Sequence, residues 1–454
     1  NTSTIKIGEQ ADKAYRTVID NITIQNGSYG LGFSNSEPSG GGILNFGNKT
    51  LIRNTIVQNN GSSSVSVNGG GIFSENEDTL FIENSIIQHN VGLSRGGGLF
   101  MSGGVLHATN TVFYKNQGGA GGAMRHYGSG MVIINCTFLE NTDDSNEGGG
   151  AISFESGPNN YLIMNSIIWG NKEPQLRFRG NLGSNFYLIN SIVEDPTRID
   201  MKGPYYDSSL GVENQLFVYK NGTLHKDNGD GIAFDMIFTS NPAFKDPSNG
   251  DFSLKNYSEA IGMGVSSITL NNQTFSAPSA DILGNPRPNP VGTKQDLGAY
   301  ENSLNEPLEK TMFTVNKDGG ADFVTIQNAI NSTSALTDTV YIFNGTYNEN
   351  LVISNNLTMI GQDSSLTIID GGQNGAVVKV NTNSGSEGLI KNLTIRNGSG
   401  DEATGGALKL GATKYTLDSV NIHSNNVLAD GGAIWFNGDS LFIQNSHIYD
   451  NTSA

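Results

Sequence analysis

The 454-residue sequence predicts an all-β protein, a right-handed parallel β-helix (solenoid), in two tandem modules that are each incomplete in this chain. Three observations carry that expectation. A run of the form Asn-small-apolar-apolar-x-x-Asn begins at Asn54, Asn84, Asn110, Asn135, Asn165 and Asn445, with degenerate copies at Asn190 and Ser419. A second run, Gly-Gly-(Gly/Ala)-apolar, begins at Gly40, Gly69, Gly96, Gly121, Gly148, Gly405 and Gly431. Between them lie short β-branched stretches that alternate at period 2, not at the helical i, i+3, i+4 spacing. A repeat of roughly 25 residues made of short strands and Gly or Asn turns is one coil of a solenoid, and stacked coils pair every backbone N–H and C=O.

Composition agrees with this. There are 59 Gly and 56 Asn, about 13% and 12%, and these are the residues that best tolerate left-handed turns. Both are poor helix formers, which argues against a helical bundle. The 12 Pro and the lack of a three-residue Gly period exclude collagen. A hydrophobic fraction of 36% is enough for a core.

Within the Asn run, position two holds Thr55, Ser85, Thr111, Cys136, Ser166 and Ser446. Position four holds Val57, Ile87, Phe113, Phe138, Ile168 and Ile448. Both are expected to point inward. Position three, which tolerates Thr137 and His447, is expected to face out. The closing Asn of each run predicts a structural ladder through Asn60, Asn90, Asn116, Asn141, Asn171, Asn425 and Asn451, with Asn at a left-handed turn bonding to the next rung. Cys136 sits in the small inward slot and reads as buried and inert.

The Gly-Gly-Ala-Ile run at Gly431, followed by Ile448-Tyr-Asp-Asn451, resembles the polymorphic outer-membrane protein repeat and the general parallel β-helix repeat. Residues 241–301 hold an ordered series: Asn241-Pro-Ala-Phe, Gly250-Asp-Phe-Ser-Leu, Ala260-Ile-Gly-Met-Gly, Asp281-Ile-Leu-Gly-Asn-Pro-Arg-Pro and Asp296-Leu-Gly-Ala-Tyr-Glu301. This series is similar to the end of β-helix domains in bacterial surface proteins of the choice-of-anchor Q type, and it implies a cap over the solenoid end. Asp322-Phe-Val-Thr-Ile-Gln-Asn-Ala-Ile330 and the short apolar runs after it resemble the opening coils of pectin-lyase-like proteins. There Phe323, Ile326 and Ile330 share one helical face behind Asp322 as N-cap. The predicted layout is therefore rungs of module 1 in 1–240, its capping segment in 241–304, and the capping helix and first rungs of module 2 in 305–454. Asn21-Ile-Thr-Ile-Gln-Asn-Gly27 matches Asn392-Leu-Thr-Ile-Arg-Asn-Gly398, so residues 1–90 read as a second copy of roughly 370–451. A chain cut in mid-module at both ends, or one whose ends stack on neighbouring copies, is the expectation.

Formal charge is −17, with no basic stripe, so nucleic acid is not an expected partner. No apolar run reaches 18 residues, so membrane insertion of this segment is not expected. The single cysteine excludes an internal disulfide. Outward positions after the Gly-Gly turns bring Phe73, Phe100, Arg125, Tyr127 and Glu155 toward one stripe, where aromatics beside an Arg could hold a sugar chain. The carboxylate sets of pectinesterase-like and polygalacturonase-like enzymes are not found; Asp143-Asp144 stands alone in a turn. No catalytic residue, metal ligand or cofactor is assigned, although Asp- and Asn-rich turns leave room for structural Ca²⁺. The function expected is an extracellular or cell-surface rod, stalk, filament or adhesin. Its partners would be neighbouring copies end to end, with surface glycans as a further partner class. The alternative is a β-helix that binds or cleaves polysaccharide.

Overall fold

The computed structural model describes all residues except 1–4, 9–15, 29–39, 65–66, 76–77, 145–147, 156–158, 179–183, 201–214, 221–222, 228–236, 334–337, 355, 381–386, 400–404, 412–413, 429 and 454. Packing divides the chain into two units, Asn1–Leu308 and Glu309–Ala454. Each is a parallel β-helix.

In the first unit, each rung contributes one strand to each of three long sheets. Sheet 1 runs from Ile5–Ile7 through Ile43–Asn45, Ile72–Ser74, Leu99–Met101, Met124–His126 and Ile152–Phe154 to Leu176–Phe178. Sheet 2 begins at Val18–Asp20 and reaches Asn185–Ile189 and Gln215–Lys220. Sheet 3 begins at Thr23–Gln25 and ends at Ile192–Val193. Register is constant: Leu99 lies beside Met124, and Ile87 beside Phe113. Sheet 2 ends on Thr223–Lys226, which runs antiparallel to Gln215–Lys220.

The asparagines divide into two structural roles where the sequence suggested one. The opening Asn of each run forms the bend between sheets 2 and 3 and holds positive φ: 49° at Asn54, 48° at Asn84, 46° at Asn110, 52° at Asn135 and 50° at Asn165. A left-handed residue costs most side chains about 1–2 kcal/mol, and Asn tolerates it. The second left-handed bend falls one residue before the closing Asn, on Asn59, His89, Lys115 and Glu140. Lys115 and Glu140 have little preference for it, so there the bend is imposed by the bonds on either side. The closing Asn itself does not take positive φ; it turns inward and forms the ladder.

That ladder is continuous and dry. Asn60 Nδ2 donates to Asn90 Oδ1 at 3.0 Å, Asn90 to Asn116 at 3.0 Å, Asn116 to Asn141 at 3.0 Å, and Asn141 to Asn171 at 2.8 Å. Each amide also donates to a carbonyl of the preceding rung, as Asn116 does to Ile87 O at 2.8 Å. Each Oδ1 accepts the backbone N–H of the previous ladder residue too, as Asn141 Oδ1 does from Asn116 at 3.0 Å. In the second unit Asn425 Nδ2 donates to Asn451 Oδ1 at 2.8 Å. Beside the ladder, the Gly-Gly turn brings backbones close. Gly96 sits at φ 58°, and a Cβ there would meet Leu99 O at 2.2 Å.

Positions two and four of the runs point inward: Thr55 and Ser85 are buried, as are Val57, Ile87, Phe113, Phe138 and Ile168. Phe113 and Phe138 stack with centroids 4.7 Å apart. Position three faces outward, yet Val112, Thr137 and Ile167 are buried too. Their cover is the segment 244–301. It was expected over the end of the helix and instead lies along its side as a strap. Phe252, Ala299 and Tyr300 pack on Val112, Tyr114 and Leu139. Leu254, Ile261 and Leu297 pack on Ile167 and Ile192. Leu270 packs on Ile134, Leu162 and Met164 of sheet 2. The outward residues of sheet 3 carry this footprint: they are polar at Gln25, Gln58 and Gln88, and large and apolar from Tyr114 through Leu139 to Trp169.

The second unit opens with helix Ile326–Asn331, whose Ile326, Ala329 and Ile330 enter a core with Val340, Ile353 and Met359. Asp322 does not cap it. Its carboxylate accepts from Thr314 N at 2.9 Å and Thr314 Oγ1 at 2.7 Å. The free N–H groups of Ile326 and Gln327 go to Glu349, at 2.8 and 2.9 Å. A carboxylate reaching back from a later strand replaces the local cap. The matched segments also share geometry: φ is 55° at Asn21 and Asn392, and 59° and 56° at Asn26 and Asn397.

The ladder yields a first expected outcome. Asn116→Ala strips Asn90 of its side-chain acceptor and leaves Ile87 O and Asn141 Oδ1 without the amide donor. Each buried group left unmatched costs about 1–3 kcal/mol, so a loss of about 3 kcal/mol is expected in urea unfolding. Gln88→Ala, on the outer face of the preceding run, should change stability little.

Candidate functional site

Three groupings of polar side chains stand out from the backbone ladders. The first is the outward stripe on sheet 1. Phe73 and Phe100 lie 5.4 Å apart, and Phe100 meets Tyr127 edge-on at 5.5 Å. Arg125 Nη2 bonds Tyr127 Oη at 2.6 Å and pairs with Glu155. Arg95 lies 5.5 Å from the Tyr127 ring centre. The five residues are therefore neighbours, as parallel register requires: Phe73, Phe100, Arg125 and Ser153 are consecutive partners across four strands.

The aromatic part of the stripe is closed, however, while Tyr127 and Glu155 at its polar end are half-buried. Phe73 and Phe100 are each 3% exposed and Arg125 is 7% exposed. Neither Phe ring offers a face on which a sugar could stack. Burial raises the Tyr127 hydroxyl above its ordinary pKa, helped by its bond to Glu155. Arg125 Nε and Ser153 Oγ are buried with no hydrogen-bond partner among the described residues. Arg177 Nε pairs with Asp200 at 2.9 Å nearby on the same sheet. The polar end of the stripe has the residue types for holding an anionic group, and the apolar end is packing.

The second grouping fastens the strap. Arg287 is buried with Asp281, Asp296 and Glu301 around it. Its Nη1 reaches Glu301 Oε2 at 3.3 Å and donates to Asp296 O at 3.0 Å; its Nη2 donates to Gly298 O at 3.2 Å. Asp281 accepts from Leu283 N, Asn285 N and Glu301 N. Asp296 accepts from Gly262 N at 2.8 Å and Asn302 N at 2.6 Å. One guanidinium faces three carboxylates, so burial and the neighbouring Glu301 push the Asp296 carboxyl up to about 7. Gly298 has φ 84° and seats the strap on sheet 3, where a Cβ would meet Thr137 Oγ1 and Ile167 Cδ1 at 2.8 Å. The ordered series in the sequence marked these residues without showing that they form one buried knot.

The third grouping is the outer corner itself. Four corner asparagines donate to strap carbonyls: Asn110 to Ala280 O, Asn135 to Asp296 O, Asn165 to Val265 O and Asn190 to Met263 O, at 2.7–3.1 Å. Where the strap stops, a cleft of about 490 Å³ opens beside Asn54, Glu83, Asn84 and Thr109.

Other candidates are structural. Cys136 is fully buried, and burial pushes its thiol up to about 12. Asp143, expected to stand alone in a turn, is buried and accepts from Gly148 N. His126 points into the core, where burial lowers it to about 4. Among the described residues, no three His, Cys, Asp or Glu side chains converge in a way that could hold a metal ion.

The chain is a parallel β-helix protein. No family model matches it. It is similar to the probable pectinesterase/pectinesterase inhibitor 41 of Arabidopsis thaliana, 31% identical over 125 residues, which is 24% of this chain and 22% of that protein. The chain thus spans about a fifth of that relative. Among solved structures it is similar to the PL6 family alginate lyase AlyGC, at 13% identity and a TM-score of 0.27, and to a point mutant of that enzyme, at 12% and 0.25. Each comparison covers 99% of this chain and 61% of the lyase. Among the described residues, no helix is long and apolar enough to cross a membrane.

The knot sets a pH dependence. Asp296 carries a folded pKa of about 7 against an unfolded value near 3.8. The folded state then binds more protons between those values, and its stability falls as pH rises from about 4 to about 7. His126 contributes the opposite slope between about 4 and its ordinary 6.5, since it is buried neutral. Urea unfolding of Asp296→Asn should therefore lose the falling limb up to pH 7. An unchanged slope between pH 6.5 and 7.5 would remove Asp296 from the account.

Proposed function

We propose that this chain is a load-bearing β-helical scaffold of the extracellular space, part of a rod, stalk or adhesin. The observation that carries it is the mutual fastening of rungs, by the dry amide ladder inside and by the strap tied across successive corners outside. Such bonds resist separation of rungs along the axis. Cysteine scarcity, the acidic surface and the repeated module suit an exported, modular surface protein. Neighbouring copies end to end are the partners this reading favours, and it needs no cofactor.

Surface labelling of producing cells with a membrane-impermeant biotin reagent tests the location, and single-molecule pulling tests the mechanics. Tagged protein on intact cells, and an Asn116→Ala variant that yields at a lower force than the parent, are expected. Protein protected from the reagent, or equal rupture forces, would end the proposal.

A second reading has its own support. The similar Arabidopsis protein is named a pectinesterase, the lyase acts by its name on alginate, and Arg125, Tyr127, Glu155 and Ser153 form a polar group on an outer sheet. On this reading the chain engages an acidic polysaccharide at Arg125. Release of unsaturated or reducing sugar from polygalacturonate or alginate, abolished by Arg125→Ala, is the result that would establish it.

A further inference from the structure

The corner of the first unit presents one row of asparagines in two states. Under the strap, Asn110, Asn135, Asn165 and Asn190 each give their amide to a strap carbonyl. One rung before the strap, Asn84 accepts from Asn110 Nδ2 at 3.0 Å, but its own Nδ2 has no acceptor among the described residues. One rung further, Asn54 Nδ2 is taken by Asp20 Oδ1 at 2.9 Å, and Arg53 closes over the same carboxylate at 2.7 Å. The cleft is thus bounded at both ends, by the strap on one side and by the Asp20–Arg53–Asn54 knot on the other.

We propose that this cleft is a saccharide-binding site that takes one or two rings of a neutral sugar. Its volume of about 490 Å³ lies in the range of small-ligand sites, roughly 300–1,000 Å³. Its open polar groups alternate in kind. Asn84 Nδ2 donates, the Glu83 carboxylate accepts and forms no ion pair among the described residues, and the Thr109 hydroxyl does either. Behind them Asn110 Oδ1 is buried with no partner among the described residues, on a residue 2% exposed. A polyol offers a donor and an acceptor on every hydroxyl, so it satisfies such a set at close spacing. The strap side adds an apolar element: Leu283 is 69% exposed at the strap's edge, on the same lining as Pro278, and can cover the C–H face of a ring. The charge argues against an acidic sugar, because Glu83 and the buried Asp281 are both on the lining and Arg53 is already paired. The bounded length argues against an extended peptide, although a peptide carbonyl is what the other corner asparagines hold. This site is distinct from the Arg125 group on sheet 1, and it does not depend on the mechanical reading.

The test is isothermal titration of the whole chain with cellobiose, lactose and maltose, compared with digalacturonate and with acetylated tetra-alanine amide. At least one neutral disaccharide is expected to saturate in the millimolar range or tighter, at about −4 kcal/mol or better for a 1 mM Kd. Digalacturonate should bind at least about tenfold more weakly, and the peptide should not bind. Leu283→Ser, on an exposed side chain that folding does not need, and Glu83→Gln, which keeps shape, should each weaken the sugar by about tenfold. Asn84→Asp keeps a residue that tolerates positive φ and removes the donor, with the same expected loss. Failure of all three sugars to saturate by about 20 mM overturns the proposal. So does wild-type affinity in both Leu283→Ser and Glu83→Gln, or binding of the peptide or the acidic sugar in place of the neutral ones.

Discussion

The architecture depends on one constraint: successive rungs must meet in the same register at two bends. Parallel strands pair along their whole length only if each coil leaves and re-enters every sheet at the same height. Two left-handed residues flanking a three-residue strand set that geometry. The buried amide next to the second bend checks it, because an Asn one position out of place could not reach both the carbonyl behind and the oxygen ahead. This is why Lys115 and Glu140, which gain nothing from positive φ, still adopt it. Their neighbours Asn116 and Asn141 are already committed. Inside the turns, the inward apolar column packs only because that alignment holds.

The strap depends on the same constraint from outside. Corner asparagines spaced one rung apart offer donors in a straight row, and a polypeptide laid across them is held at intervals it did not have to define. Apolar residues of the strap then fill what would be exposed positions of sheet 3. The knot around Arg287 ties its return leg. Removing a guanidinium from water while surrounding it with carboxylates is costly unless every lone pair is met, and backbone N–H groups from Gly262, Leu283, Asn285, Asn289, Glu301 and Asn302 meet them. The knot therefore contributes a particular path for the chain more than net stability.

Much of the fold was legible because the repeat writes the same physical requirement many times. The inward slots of Thr55 and Val57, the ladder through Asn60 to Asn171, and the neighbourhood of Phe73, Phe100 and Arg125 all follow from period and register alone. What was not legible depends on contacts between distant segments. Nothing local in Val112 or Thr137 says that residues 252 or 299 will cover them, although the change from Gln88 to Tyr114 and Leu139 in the outward column is a signal in retrospect. Asp322 looks like a cap by its place in sequence, but Glu349 reaches the same N–H groups from a later strand. The closed state of the stripe was likewise invisible, because periodicity reports which way a residue points and not what lies over it. The open corner at Asn84 could not be found from sequence either, since its sequence is like that of the corners the strap fills.

The ladder also has a direction. Every amide from Asn60 to Asn141 donates toward the following rung, and each backbone N–H beside it does the same. The side-chain dipoles therefore add instead of cancelling, and each polarises the next. A coil that has just closed holds out two donors and waits for one oxygen, which only the next coil supplies. The two ends of the ladder therefore differ in kind: Asn60 presents an oxygen, which accepts from Gly27 N at 2.9 Å, and Asn171 presents a donor, which goes to Gln175 Oε1 at 3.2 Å.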